Sequence, residues 1–402
     1  MPQFRRRAAP GAVVLCLSLL SSSLPCFPVR AASAPAAVEN DLTTVLKFGP
    51  RVAGSAANEQ ARGYFEEQFR ALGYTTRREA FTYPRFDDLG SDVRVGERPL
   101  AGLALQGTAG GEVSAPVVLV PGVGTPGDFR GVDVRGRVAV VQRGQIPFLQ
   151  KARNALAAGA AGLVVVNNGP GELHGTLGER VELPVLAVTR EDGAALREGQ
   201  PVTLRVRVRE GEVRGVNVVA SRPDVTQPDV LFGGHLDSVT GAPGANDNLS
   251  GSVAVLELAR RAANTPLAAR SFFVLFDGEE DGLRGSRVFV KENPGVVQHL
   301  KAMFNFDMVG VNAAPLAVGG DSALIDAARQ AAPTLGTFPA GGDSDHASFA
   351  RAGVPVLFFH RGLDEHYHQP GDTLADPALI RGTVDTALRA ADAVLGAVPG
   401  GR

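Results

Sequence analysis

The sequence predicts an α/β fold: a mostly parallel central sheet flanked by helices, with a β-rich domain inserted into it. After Gly211, apolar strands alternate with longer helical patterns, which is typical of a parallel sheet covered on both faces. Between residues 101 and 210, short valine-rich runs alternate with glycine turns around one clear helix. The length of 402 residues, with 44% hydrophobic and 20% charged side chains, suits two globular domains.

The first 34 residues have the layout of a secretory signal peptide. Arg5–Arg7 precede the apolar run GAVVLCLSLL, and small side chains follow at Ala31–Ala34. This run is shorter than the roughly 20 residues that span a bilayer. We therefore predict that residues 1–34 are removed and that the protein is secreted, to the periplasm or the extracellular space. Both cysteines, Cys16 and Cys26, lie in this segment, so the processed chain has no disulfide and no thiolate.

The charge balance excludes partners that require a basic surface. The formal net charge is −2, and loss of residues 1–34, which carry four arginines and no acids, takes it to −6. Neither value favours nucleic acid or an anionic membrane surface. We therefore expect no nucleic-acid partner and no stable membrane association after signal cleavage.

Residues 38–100 and 211–398 are predicted to form one catalytic domain around the inserted unit at 101–210. The stretch NEQARGYFEEQFRAL has helical spacing and ends at Gly73, and TTRREAFTY then alternates like a strand. Insertion of a domain is tolerated when its two ends lie close together. In the second part the predicted strands are Val216–Ala220, Val230–Gly234, Ser271–Phe276, Ala302–Phe306 and Val356–Phe359. The predicted helices there are Ser250–Ala263, Ser286–Lys291, Leu324–Ala332 and Leu379–Leu395.

The inserted unit contains four short apolar strands and the helical stretch FLQKARNALAAGA, which ends at Gly159. Its segment GVGTPG, from Gly122, has the spacing of a dinucleotide-binding loop. Pro126 and the turn residues after it favour a turn over the start of a helix, so we do not expect a dinucleotide there.

Polar side chains collect where the predicted strands of the catalytic domain end, which is where open α/β sheets bind their ligands. The candidates are His235, Asp237, Asp247, Asp277, Glu279, Glu280, Asp307, His360, His366 and His368. Each has an ordinary explanation alone: Asp247 could cap a helix, and Glu279 with Glu280 could be a solvated pair. Together, the like charges would repel one another unless a cation neutralised them. Imidazole and carboxylate ligands without sulfur suit zinc, with manganese or cobalt as substitutes.

The adjacent acids Glu279 and Glu280 suggest a division of labour, because one can bind metal while the other remains a free general base. A serine hydrolase is a weaker interpretation. Ser344, Asp345 and His346 are consecutive, so they cannot readily form a relay with one another, and no G-x-S-x-G elbow is present.

Six motifs in order, GGHLDS, PGANDNLSG, GEEDGLRGS, NFDMVG, SDHASF and YHQPGDT, resemble the M28 family of zinc aminopeptidases and related exopeptidases. The resemblance spans residues 40–398. The inserted stretch RGQIPFLQKARNALAAGAAGLVVVNN resembles a protease-associated (PA) domain, with Ile146 at a position where that domain usually has cysteine. The resemblance implies a zinc exopeptidase fold, two zinc ions and a peptide substrate.

The resemblance also implies a role for each matching residue. His235 and Asp307 would bind one zinc, Glu280 and His368 the other, and Asp247 would bridge both.

Catalytic and supporting roles follow from the same resemblance. Glu279 would be the general base, and Tyr367 would donate a hydrogen bond to the developing oxyanion. Asp237 would orient His235, Asn248 would follow a cis peptide bond, and His346 would support the site without binding metal. His360 and His366 have no role in the motifs.

The leading hypothesis is a secreted dinuclear zinc aminopeptidase. A carboxypeptidase or dipeptidase of the same fold is an alternative, because the metal ligands do not determine which end of the peptide is held. A glutaminyl cyclase would use one zinc. A non-catalytic protein that docks partners through its PA domain is disfavoured by the intact Glu279 and the complete set of five ligands.

Overall fold

A computed structural model describes residues 36–396 of the chain. The predicted signal peptide, residues 1–34, lies outside this range. Within the described residues, none of the helices combines the length and the apolar character that crossing a membrane requires.

The helices and strands, numbered in chain order, are as follows. The helices are α1 Ala37–Leu46, α2 Ala56–Ala71, α3 Phe148–Ala157, α4 Arg190–Gly193, α5 Gly251–Ala262, α6 Arg284–Glu292, α7 Pro294–His299, α8 Ser322–Ala331, α9 His346–Arg351 and α10 Pro377–Gly396. The first strands are β1 Thr75–Asp88, β2 Asp92–Val95, β3 Arg98–Ala104, β4 Gln106–Thr108, β5 Gly111–Leu119, β6 Val138–Gln142, β7 Gly162–Val166, β8 Thr176–Val181 and β9 Val185–Val188. The remaining strands are β10 Pro201–Val206, β11 Val208–Ser221, β12 Val230–His235, β13 Ser271–Phe276, β14 Ala302–Phe306, β15 Ala317–Gly320, β16 Gly336–Thr337 and β17 Val356–His360.

The main sheet has eight strands in the order β1-β11-β13-β12-β14-β17-β15-β16. Strands β13, β12, β14 and β17 run parallel at its centre, whereas β11 joins β13, and β15 joins β17, in antiparallel pairs. The carboxyl ends of the four central strands therefore meet at one edge, where ligands of open α/β sheets bind.

Helices cover both faces of this sheet because its central strands are apolar on both sides. Every residue of β13, SFFVLF, is buried, and successive side chains point to opposite faces. Phe273 packs in a cluster with residues of α1, α2, α5, α8 and α10. Phe272 packs on the other face with residues of α6, α7 and α9. The predicted α/β fold class is confirmed.

The inserted β-rich unit is a closed barrel with strand order β10-β2-β3-β9-β7-β6-β5. Helix α3 and the pair β4–β8 pack against the barrel. The barrel is attached through β1 and β11, which pair antiparallel over their whole length from Thr75 with Ser221 to Asp88 with Val208. Its strands begin at Asp92 and end at Val206. The domain boundaries drawn from the sequence, at 100/101 and 210/211, stay predictions.

Among the differences from the sequence predictions, two concern the attachment of the barrel and the placement of Asp247. Strand β1 continues beyond TTRREAFTY to Asp88, because each residue of this polar continuation pairs with β11. A distorted helical turn, Ala245–Ser250, precedes α5, and Asp247 and Asn248 have non-helical backbone angles within it. This turn separates the metal-ligand candidate Asp247 from the regular helix.

Candidate metal centre

The edge formed by the central strands gathers acids and imidazoles from five parts of the chain. The strand β12 ends in the first histidine, the loops after β13 and β14 supply three acids, the turn before α5 supplies a fourth, and the loop before α10 supplies the second histidine. These six side chains are His235, Glu279, Glu280, Asp307, Asp247 and His368.

Asp247 lies at the centre of this group. Its Oδ1 is 3.3 Å from Nε2 of His235, and its Oδ2 is 3.2 Å from Nε2 of His368. Nε2 of His235 is also 3.5 Å from Oδ1 of Asp307, and Nε2 of His368 is 3.1 Å from Oε2 of Glu280. The two oxygens of one carboxylate thus face two separate histidine–carboxylate pairs.

The backbone of the preceding loop places Asp247 there. Gly244 has φ of +65°, and a Cβ at this position would lie 2.6 Å from Cβ of Ser238 and would also overlap the carbonyl oxygen of Asp247. Only glycine therefore fits this turn. The peptide bond between Asp247 and Asn248 is cis. The Asn248 side chain donates to the carbonyl of Phe306 at 2.8 Å, which ties the loop to the end of β14.

Asp237 contacts both the His235 loop and the loop that carries the two glutamates. Nδ1 of His235 lies 3.1 Å from the backbone carbonyl of Asp237 and 3.6 Å from its carboxylate Oδ1. The carboxylate also accepts the backbone N–H of Glu279 at 3.1 Å and that of Glu280 at 3.2 Å. Asp237 therefore links the His235 loop to the loop that carries both glutamates.

Asp307 is held by neighbours that the sequence prediction did not assign. The hydroxyl of Ser344 donates to Oδ2 of Asp307 at 2.7 Å and accepts from Nδ2 of Asn305. Nδ1 of His360 lies 2.9 Å from the carbonyl of Asp307. Ser344 is in the motif SDHASF, where a sequence signal existed. His360 is the last residue of the apolar strand β17, and the sequence marked it only as a candidate at a strand end, without a role in the motifs.

The remaining predicted residues lie at the margin. The ring of Tyr367 stacks on that of His368 at 3.8 Å between centroids. His346 stacks on Phe358, and its Nε2 lies 2.9 Å from the carbonyl of Gly341, so it does not join the acidic group. His366, with no predicted role, is exposed.

The pKa shifts of the site residues reflect an excess of negative charge. Burial raises the pKa of Glu279 well above its ordinary value and raises the pKa of Glu280 to about 7. Burial alone would lower the pKa of His368, but the carboxylates of Asp247 and Glu280 outweigh it and raise the pKa to about 10. Burial would raise the pKa of Asp247, but His235 and His368 outweigh it and lower the pKa.

The donor set fits zinc. Ligands placed about 2.0–2.2 Å from a tetrahedral zinc lie roughly 3.3–3.6 Å from one another, and the nitrogen–oxygen separations here are 3.1 to 3.5 Å. Among the described residues, the buried Oε1 of Glu280 and Oδ1 of Asp307 accept no hydrogen bond. Buried carboxylate oxygens without donors are costly, and a bound cation would remove that cost.

Two protein-family models match the chain. The model of peptidase family M28 matches residues 217–391, and that of the PA domain matches residues 113–196. The chain belongs to peptidase family M28. The resemblance drawn from the six motifs is thereby confirmed, together with the PA domain and the enzyme class, a metallo-exopeptidase.

Individual relatives agree with this assignment. Aminopeptidase YwaD of Bacillus subtilis (strain 168) is 31% identical over 353 residues, which cover 81% of this chain and 77% of the relative. An aminopeptidase from Aneurinibacillus sp. strain AM-1 has a TM-score of 0.70 at 30% identity, covering 88% of this chain and 93% of that one. BSAP, a zinc aminopeptidase from Bacillus subtilis, has a TM-score of 0.70 at 27% identity, covering 90% and 95%. Family membership implies that the metal is zinc.

Proposed function

We propose that the chain is a secreted dinuclear zinc aminopeptidase that removes N-terminal residues from peptides, with Glu279 as general base. The observation that carries this proposal is the orientation of the Asp247 carboxylate: one oxygen faces His235 and the other faces His368. The names of the relatives support the aminopeptidase reaction. The signal-like sequence of residues 1–34 supports secretion.

In this proposal, each zinc has one histidine and one carboxylate of its own. His235 and Asp307 would hold one ion, His368 and Glu280 would hold the other, and Asp247 would bind both. Manganese or cobalt could replace zinc, since both accept the same nitrogen and oxygen ligands.

When bound, the zinc ions lower the pKa of a water molecule and polarise the scissile carbonyl. Glu279 then accepts the proton that the attacking water loses, and returns it to the amine that leaves when the C–N bond breaks. Its position supports this role. Oε2 of Glu279 is 3.9 Å from Nε2 of His235, while Glu280 lies against His368 at 3.1 Å. Burial, which raises the pKa of Glu279, makes it a stronger base.

Tyr367 is proposed to stabilise the oxyanion that forms when water attacks the carbonyl. Burial and the nearby carboxylates of Asp247 and Glu280 raise the pKa of its hydroxyl, so it remains protonated and able to donate. Its ring lies on His368, beside the acidic group.

The surface beside the site offers room for a peptide. A cavity of about 180 Å³ is lined by Glu280, Asp281 and residues of the strand β1, including Arg85. A second cavity of about 600 Å³ shares Ala53 and Arg85 with it and continues along the β1–β11 ribbon. Of the proposed metal ligands, Glu280 lines the smaller cavity, so a peptide that occupied both cavities would pass beside Glu280 and extend along the ribbon toward the barrel.

The test of the metal and base roles is a pair of neighbouring variants. Glu279→Gln should bind two zinc ions and lose about 100- to 10,000-fold in kcat, the usual contribution of a general base. Glu280→Gln should lose one zinc ion, because it removes a ligand. Zinc content by mass spectrometry and steady-state kinetics measure both. Unchanged turnover in Glu279→Gln, or full zinc content in Glu280→Gln, would contradict the assigned roles.

The test of the reaction is a panel of matched peptides. Peptides with a free N-terminus should be cleaved whether the C-terminus is free or amidated, and N-acetylated versions should not. A chelator should abolish cleavage, and added zinc should restore it. Cleavage that requires a free C-terminal carboxylate would instead identify a carboxypeptidase, and a requirement for both free ends would identify a dipeptidase.

A further inference from the structure

Arg51 is a buried cation beside the metal centre, although it lies outside the six motifs. Its side chain is fully enclosed. Nε donates to the carbonyl of Leu236 at 2.8 Å, Nη1 to that of Pro243 at 2.6 Å, and Nη2 to that of Gly244 at 2.8 Å. These acceptors all lie in the stretch that connects His235 to Asp247. A buried guanidinium costs free energy unless it is hydrogen-bonded and its charge is balanced, so these contacts are strongly constrained.

Asp372 contacts the same stretch from the opposite side. Its Oδ1 accepts the backbone N–H of Asn246 at 2.8 Å, and its Oδ2 accepts that of Asp247 at 3.0 Å. Its own backbone carbonyl accepts the N–H of Ala245 at 3.2 Å. Asp372 is 3% exposed, so these amides are its main partners. It follows His368 in the same loop, and it therefore connects the second histidine to the backbone of Asp247.

The two side chains act on complementary groups of one five-residue segment, 243–247. Arg51 binds carbonyls at the beginning of the segment, and Asp372 binds amides at its end. Charge-assisted hydrogen bonds of this kind are about twice as strong as neutral ones. With both ends held, the carboxylate of Asp247 has little freedom to turn away from either histidine.

We propose that Arg51 and Asp372 are positioning residues for the metal centre, which together fix the 243–247 segment so that each oxygen of Asp247 faces one histidine. This inference rests on the proposed dinuclear function. It gives one shared role to Arg51, which precedes the barrel in sequence, and Asp372, which lies in the loop before α10.

The barrel contains a matched pair of controls. Nζ of Lys151, also fully buried, donates to the carbonyls of Val123, Gln142 and Gly144 at 2.6 to 3.1 Å. Asp128 accepts the backbone N–H of Val123 and of Thr125 at 3.1 and 2.8 Å. Loss of Lys151 or Asp128 should weaken the fold without reaching the metal centre.

The experiment compares Arg51→Met, Arg51→Lys and Asp372→Asn with Lys151→Met and Asp128→Asn. Metal-free protein is titrated with Zn²⁺ alone by calorimetry, the Co²⁺ form is examined by visible absorption, and kcat and KM are measured with one peptide. Thermal unfolding of the metal-free protein gives the stability of each variant.

The variants near the site should bind Zn²⁺ about 10- to 100-fold more weakly, the usual effect of losing a group that supports a ligand. Their Co²⁺ absorption should change, and kcat should fall more than KM rises. Arg51→Lys should lie between wild type and Arg51→Met, because lysine keeps the charge and loses the planar fork. The barrel variants should unfold at lower temperature while keeping wild-type Zn²⁺ affinity.

The proposal would be overturned if Arg51→Lys and Asp372→Asn fold and keep wild-type Zn²⁺ affinity and Co²⁺ absorption. If Arg51→Met does not fold, these two variants alone decide the test. Equal losses of Zn²⁺ affinity in the barrel variants would also overturn it. Failure of the proposed function has a different signature, because it is visible in wild type as binding of fewer than two Zn²⁺ ions or no cleavage at the N-terminus. In that case, the Zn²⁺ affinity of whatever site remains still decides whether Arg51 and Asp372 position it.

Discussion

Two loops of this protein, 122–127 in the barrel and 243–247 beside the metal centre, are held in the same way but present different side chains. In the barrel, Lys151 binds the carbonyl of Val123, and Asp128 binds amides of the same loop. In the catalytic unit, Arg51 binds carbonyls of the 243–247 segment and Asp372 binds its amides. Each loop is thus held by its own buried cation and its own aspartate.

The difference lies in what the loops present. The barrel loop 122–127 presents no metal-ligand candidate, and between Asp92 and Val206 the only buried charged side chain is Lys151. The loop in the catalytic unit presents Asp247 to a group of five further acids and imidazoles. The comparison shows that the same cation–aspartate arrangement holds two separate loops of this protein, and that the side chain on each loop determines whether it can bind metal.

The largest expected effect that tests this comparison is the response to metal removal. Chelation should accelerate backbone hydrogen exchange in 243–247 by up to about 1,000-fold, since a ligand at 1,000 times its Kd stabilises a fold by about 4 kcal/mol. Exchange in 122–127 should not change. Hydrogen-exchange mass spectrometry of the loaded and chelated protein measures both loops. Equal acceleration in both would show that the barrel loop also depends on metal.

Asp247→Asn should have the next largest effect. Asparagine has one carbonyl oxygen and no charge, so it cannot bridge two cations, and at least one zinc ion should bind about 100-fold more weakly or not at all. Asp128→Asn, at the matched barrel loop, should leave zinc content unchanged. Zinc content after dialysis checks the prediction, and two tightly bound ions in Asp247→Asn would refute the bridging role.

A comparison of Gly244→Ala with Gly136→Ala separates the stability cost of a left-handed backbone angle from the cost of steric crowding. Both glycines have nearly the same φ, +65° and +66°, but a Cβ at Gly136 meets nothing within 4 Å. Gly136→Ala should therefore cost about 1 kcal/mol of stability for the left-handed angle alone. Gly244→Ala should cost roughly 2 to 3 kcal/mol and should also weaken zinc binding, because the loop must move. Denaturant unfolding measures both, and equal costs would mean that the loop at Gly244 is not tightly constrained.

The smallest expected effects are those of pH on the metal-free protein, and they have opposite signs at His368, which faces Asp247, and at Asp128 in the barrel. His368 has a raised pKa of about 10, so its stabilising contribution is complete below pH 6.5 and is lost as pH rises toward 10. Backbone hydrogen bonds from the Thr125 loop lower the pKa of Asp128, so its contribution is present above pH 3.8 and is lost on further acidification. Thermal unfolding against pH should show a smaller alkaline loss in His368→Gln, where His235 with its raised pKa remains, and a smaller acid loss in Asp128→Asn.

Much of the catalytic unit could be predicted because its signals are local. Strands β13 and β14 have the predicted bounds, Ser271–Phe276 and Ala302–Phe306, since continuous apolar runs ended by acids mark buried strands. The acids gathered at the sheet edge were predictable because parallel strands bring their carboxyl ends together. Local motifs therefore named Asp247 and Glu279 before any geometry was known.

Long-range contacts could not be predicted in the same way. Arg51 meets Gly244 across 193 positions of the chain, and nothing in its neighbourhood indicates a buried cation. The carboxylate of Asp237 also accepts the amides of Glu279 and Glu280, because the ends of two adjacent strands bring those amides within reach. Such contacts depend on which strands become neighbours, and sequence periodicity does not contain that information.

The β1–β11 ribbon has a consequence for how this protein could have been assembled. Asp88 pairs with Val208, and the N–H of Leu89 donates to the carbonyl of Arg207 at 2.7 Å. The chain thus leaves and re-enters the catalytic unit through two adjacent strands, about 5 Å apart. In the eight-stranded sheet, β1 and β11 pair like the two strands of a hairpin, and the barrel takes the place of the turn between them. A gene segment encoding residues 89–207 could be gained or lost, or exchanged for an Asn-Gly turn, while the sheet kept its register. The barrel is therefore a unit that evolution or protein engineering can replace.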